Sequence, residues 1–122
     1  MIEVACAVIF NAQEQLLIAK RGAGRDEGLW EFPGGKKEKN ESILEAAERE
    51  IYEELNIVIR AELELYSLIA VPYILKFIKC SVLDDNKIEL KEHSEIVFVQ
   101  LDQISAIDLT KNDQNFLNWL NK

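Results

Sequence analysis

Histidine is nearly absent from this chain and cysteine is scarce: its 122 residues hold one His and two Cys. Cys6 and Cys80 lie far apart with no C-x-x-C spacing, and His93 has no second His to join it. That argues against a zinc site and against a disulfide scaffold. Both cysteines fall in apolar, strand-like runs, where buried free thiols are expected. Cations are outnumbered as well, with 14 Lys and Arg against 22 Asp and Glu for a net charge of −8. No basic stripe emerges, so a nucleic-acid duplex is not an expected partner. Long apolar runs are also missing. The longest, around Leu65 to Leu75, is too short to span a bilayer and contains Pro72, so no membrane partner is expected. The first residues carry neither the charged region nor the cleavage site of a signal peptide. A reducing cytoplasm is the expected compartment, and composition leaves monomer and homodimer equally open.

What the chain does hold suits one soluble domain over residues 1–122, with 48% hydrophobic and 30% charged residues. Met1 to Phe10 is nearly all apolar from Val4 onward and reads as a largely buried strand. A polar turn over Asn11 to Gln15 leads to a second strand, Leu16 to Ala19, forming a hairpin with the first. A loop follows from Gly22 to Gly28, a candidate mobile wall of a site. Trp30 to Phe32 is a short strand before the turn Pro33-Gly34-Gly35, whose glycines let a backbone come close to a ligand. Further strands are expected over Val58 to Leu68, Tyr73 to Val82, briefly at Ile88 to Leu90, and over Ile96 to Val99. One helical turn within Leu101 to Ile107 and a last helix, capped by Thr110 and running to Leu120, complete a mixed α/β chain.

The most informative stretch runs from Trp30 to Ile57. Between Glu41 and Glu54 stand six glutamates and one cation, Arg49. Ser42 and Glu45 form an S-x-x-E capping box, and no Gly or Pro interrupts the run to Leu55, so a helix is predicted there. Leu44, Ala47, Ile51 and Leu55 share its apolar face. Glu50, Glu53 and Glu54, at i, i+3 and i+4, crowd together on another. Each such like-charge pair costs roughly 0.2–0.5 kcal/mol, and anions near a helix C-terminus also oppose its dipole. A hard divalent cation such as Mg²⁺, which prefers carboxylate oxygens, removes that penalty.

The spacing from Gly35 is Gly, five residues, Glu41, seven residues, Arg49-Glu50-Ile51, one residue, Glu53-Glu54, one residue, Asn56-Ile57. It resembles the Nudix box, G-x5-E-x7-R-E-U-x-E-E-x-G-U with U aliphatic, at every position but one. Asn56 stands where the box has its last Gly, and Asn is the usual substitute at a left-handed helix end. The prefix Trp30-Glu31-Phe32-Pro33-Gly34-Gly35-Lys36 further resembles the MutT-like branch. The resemblance implies an α/β/α sandwich, a mixed sheet between helices. It also implies hydrolysis of a nucleoside triphosphate to the monophosphate and pyrophosphate with Mg²⁺, or Mn²⁺, as cofactor, the nucleotide polyphosphate being the partner. By the same resemblance Glu50, Glu53 and Glu54 are metal ligands and the Gly34 carbonyl adds an oxygen. Glu41 lies near the ion with Glu38, and Arg49 orients a carboxylate by pairing with Glu45 or Glu53. Glu95 is a loop ligand or base, with Glu92 its competitor, and the general base stays open between Glu50 and Glu95. Arg21, Phe32, Asn112 and Tyr73 are candidates for nucleotide contact, with core roles open for Phe32 and Tyr73. The short Ala70-Val71-Pro72 connection departs from MutT, so the resemblance carries hydrolysis further than it carries preference for oxidised guanine, as in 8-oxo-dGTP, over CTP, another pyrimidine triphosphate, a nucleotide sugar or a dinucleoside polyphosphate. A non-catalytic nucleotide-binding module is the remaining alternative, though such modules usually lose box glutamates that this chain keeps.

Overall fold

A computed structural model describes residues 1–122. Strand β1 (Ile2–Phe10) runs through the centre of the sheet, parallel to β6 (Tyr73–Asp84) from Ile2 opposite Tyr73 to Phe10 opposite Ser81. Beyond β6 lies β5 (Val58–Ala70), antiparallel to it. On the other side are β2 (Leu16–Arg21), then β3 (Trp30–Glu31), while β7 (His93–Val99) also pairs with β2. Helix α1 (Ile43–Leu55) covers one face and α2 (Lys111–Leu120) the other, preceded by a 3-10 helix over Leu101–Ala106. This is the expected mixed sheet between helices.

The apolar run of β1 is continuous because both its faces are buried. Alternation sends Ala5, Ala7 and Ile9 toward α1, where they meet Ala46, Ala47, Ile51 and Leu55. Cys6 and Val8 point the other way, toward Phe32, Phe77, Ile104, Phe116 and Leu117. In that second core Phe77 and Phe116 stack at 4.3 Å, and Phe32 presents an edge to each. Truncating a ring such as Phe116 to Ala would cost about 3–5 kcal/mol. The ring of Phe32 therefore fixes the chain immediately before Pro33-Gly34-Gly35. No helix is long and apolar enough to cross a membrane.

Three expectations change. Gly34 to Lys36 is a strand, β4, antiparallel to β1 with Cys6 opposite Gly34. A Cβ at Gly34 would strike the Ala5 carbonyl oxygen, so the close approach needs glycine. The first two strands share only the pair Phe10 and Leu16, because β4 takes Val4 to Cys6 of β1 and β2 pairs along its length with β7. Residues 88–90 form no strand. Their backbone turns instead to the end of α1, where Glu89 N donates to Leu55 O at 3.0 Å.

Candidate active site

Helix α1 begins as its sequence dictates. The Ser42 hydroxyl accepts from Glu45 N at 3.0 Å, and the Glu45 carboxylate accepts from Ser42 N at 2.8 Å. It ends at Asn56 with φ 57°, whose N–H donates to Tyr52 O. On the acidic face Arg49 gathers the carboxylates. Its Nε and Nη2 grip both oxygens of Glu41 at 3.0 and 2.8 Å, and Nη1 reaches Glu50 at 3.0 Å and Glu53 at 3.1 Å. Nη2 also donates to the Lys36 carbonyl at 3.0 Å, tying the helix to β4. The Arg49 bonds, with one from Glu38 N, hold the Glu41 carboxyl down at about 2. Glu41 is thus Arg49's main partner and Glu45 is not one, because the capping box already occupies it.

Glu54 differs from its neighbours. It turns inward, and its Oε2 is buried without a hydrogen-bond partner. Burial, followed by the negative charges of Glu50, Glu92 and Glu31, pushes its carboxyl up to about 8. Glu50 lies under Gly35, where a Cβ would strike its carboxylate. As the side chains stand, no three His, Cys, Asp or Glu groups converge to hold a metal ion; Glu50 and Glu53 are both bonded to Arg49 Nη1. The donor set nevertheless fits a hard divalent cation. It is all oxygen, mutually repulsive, and includes a buried carboxylate oxygen left unpaired.

Glu54 opens on a cleft of about 820 Å³ between the end of α1 and the start of α2. Arg21, Phe32, Gly34, Tyr73 and Asn112 all line it, so the structure brings together most of the residues picked from sequence. The ring of Phe32 is only 3% exposed and belongs mainly to the aromatic core. Tyr73 is half-buried at the rim, with the Lys36 ammonium 5.8 Å from its ring centre. Arg21 is held by Glu31 at 2.7 Å and by the Arg25 carbonyl at 2.9 Å.

Glu95 lies within β7 rather than in the loop expected before it: in the regular register of the ladder it stands opposite Lys20, exposed and lining neither this cleft nor its smaller neighbour. Glu92, just before the strand, is the acid that lines both, alongside Arg21 and Glu31. Sequence reasoning missed two further groups, Glu31 and Asp113. Glu31 accepts from Arg21 and pairs with His93 Nε2 at 2.8 Å. Burial opposes ionisation of Glu31, but these two bonds outweigh it and lower its pKa. Its only sequence signal was an acid between two aromatics, Trp30 and Phe32. Asp113, 5% exposed in the wall of the cleft, accepts from Phe32 N at 2.9 Å. Burial raises its carboxyl to about 7. Nothing local distinguished it from an ordinary acid in a first helical turn.

A family model described as "NUDIX domain" matches residues 2–120. The chain belongs to the Nudix family. Over 58 residues it is 50% identical to a CTP pyrophosphohydrolase of Escherichia coli K12, a match covering 47% of this chain and 42% of that protein. Over 57 residues it is 40% identical to an 8-oxo-dGTP diphosphatase of Proteus vulgaris, covering 46% of this chain and 51% of that one. The matched region thus spans about half or less of these relatives. Among solved structures, the E. coli ORF135 protein superposes with TM-score 0.78 at 31% identity, covering 97% of this chain and 86% of that one. A MutT studied from Aliivibrio salmonicida and Vibrio cholerae gives TM-score 0.78 at 25% identity, covering 97% and 94%. Nudix proteins generally use a divalent metal, in keeping with the oxygen donors gathered here.

Proposed function

We propose that this Nudix chain hydrolyses a nucleoside triphosphate to the monophosphate and pyrophosphate, with Mg²⁺, or Mn²⁺, held by Glu50, Glu53, Glu54 and the Gly34 carbonyl. The observation that carries the reading is the unpaired, buried Glu54 oxygen in a cleft that Asn112, Thr110 and Tyr73 also line. The acid suits a cation and phosphates; the amide, hydroxyl and ring suit a base.

When bound, the cation neutralises the phosphate oxygens that would otherwise repel an attacking water. Arg21, held by Glu31 in the lining of the same cleft, supplies positive charge for the polyphosphate in this reading. In this reading Glu92, which lines the cleft together with Glu54, takes the proton from that water, whereas Glu95 stands exposed in β7 opposite Lys20. Arg49 Nη1 draws the Glu50 and Glu53 carboxylates to one point and offsets their mutual repulsion. Asn112 offers a donor and an acceptor to the edge of a base. An oxidised guanine, as in 8-oxo-dGTP, is the first candidate, in line with the Proteus vulgaris relative. CTP is the second, favoured by the E. coli relative, the more identical of the two.

A panel of nucleotides incubated with Mg²⁺, separating pyrophosphate from phosphate release, tests the reading. Pyrophosphate from one or a few triphosphates is expected. Phosphate alone, or no turnover on any triphosphate, would refute it.

A further inference from the structure

Asn56 is the one position where this chain departs from its family's box, and its side chain is engaged. Its Nδ2 donates to the Lys87 carbonyl at 2.7 Å. Two backbone bonds lie alongside, from Glu89 N to Leu55 O at 3.0 Å and from Lys91 N to Glu54 O at 3.3 Å. The loop after β6 thus caps carbonyls of the last turn of α1 that would otherwise lack partners. The residues that follow directly in sequence are Glu92 and His93, which line the smaller cavity with Arg21 and Glu31. A glycine at position 56 would keep the left-handed φ of 57° and lose the side-chain bond to Lys87.

We propose that Asn56 is a positioning residue: its amide latches the 85–91 loop to the end of α1 and so sets where Glu92 stands relative to Glu54. The latch is geometric. Glu54 sits two residues before the donor, and its own carbonyl is one of the loop's three anchors. Helix end and loop are therefore held as one piece, and both acids move with it. The claim about Glu92 rests on the hydrolytic reading above, whereas the latch itself does not.

Two variants test it. Asn56→Gly keeps the backbone conformation and removes the amide. Asn56→Asp keeps the side-chain size and the tolerance for a left-handed φ, but cannot donate. Amide hydrogen exchange at Glu89 and Lys91 is measured on the metal-free protein, and kcat and KM at saturating Mg²⁺ on the nucleotide found active. Loss of one neutral hydrogen bond predicts exchange about 2- to 10-fold faster at both amides. Because Glu92 acts as the base, kcat should fall by a similar factor, with KM for nucleotide within about twofold of wild type. Unchanged exchange in both variants would overturn the latch. Faster exchange with an unchanged kcat would overturn the positioning role. If wild type turns over no nucleotide, the hydrolytic reading fails and with it the role assigned to Glu92, while the exchange data still decide the latch.

Discussion

Replacing Asp113 with asparagine should stabilise the protein progressively as pH rises from about 5.5 to about 7, and by a constant amount above that. Asp113 is 5% exposed and accepts from Phe32 N at 2.9 Å. Its pKa, raised mainly by burial, stands at about 7 in the folded protein against an ordinary 3.8. Between those two values the unfolded chain releases this proton and the folded chain keeps it. The unfolded state then binds fewer protons, so stability falls as pH climbs through the window and levels off above the folded pKa. The full span, 7 − 3.8 or about 3 pH units at about 1.4 kcal/mol each, sets a ceiling of about 4 kcal/mol. Roughly 2 kcal/mol of that falls between about pH 5.5 and 7. Asparagine imitates the protonated acid: it is neutral and keeps an acceptor for Phe32 N. Urea denaturation of metal-free wild type and Asp113→Asn across this range measures the difference, which cancels the titration of carboxylates shared by both proteins. A difference that stays flat across the range would mean that Asp113 titrates as a solvated acid, and the burial argument would fail.

Other expectations concern the acids and the cleft. Glu54→Gln should abolish turnover while leaving the far-UV circular dichroism unchanged and thermal stability equal or higher, because the cost of keeping an ionisable group among other acids is removed; activity within a fewfold of wild type would end its assignment as a metal ligand. Gly35→Ala places a methyl against the Glu50 carboxylate and should lower kcat by about 10-fold or more with little change in KM for nucleotide, as steady-state kinetics would reveal. Arg49→Ala should destabilise fully above pH 4.5 and progressively less toward pH 2. The reason is that the depressed Glu41 pKa contributes stability that is lost as acid protonates the carboxylate; chemical denaturation at several pH values checks the trend. Asn112→Ala should raise KM for the preferred base selectively, and equal effects on every nucleotide would place Asn112 outside the base contact.

The residues from Gly35 to Ile57 declared much of this protein by themselves. The capping box at Ser42 and Glu45, the apolar stripe on Ile51 and Leu55, and the left-handed end at Asn56 all depend on neighbours within one or two turns. Contacts of such short range are readable from the chain. The same holds for β1, where an unbroken apolar run can only mean burial on both faces. What folding decided lies across long separations. Glu92 rather than Glu95 lines the cleft because β7 begins at His93, which commits Glu95 to the ladder opposite Lys20 and leaves Glu92 just outside it, a feature of strand pairing that no local pattern encodes. Arg49 takes Glu41 in preference to Glu45 because β4 docks beside α1 and the cap has already engaged Glu45. Asp113 is driven toward neutrality by its burial in the assembled fold, against the Phe32 N–H from 81 residues away, which favours its ionised form. Spacing along a helix is fixed by bond geometry and so is written in the sequence, whereas the surroundings of a charge depend on which distant segments pack over it, and only the assembled fold supplies them.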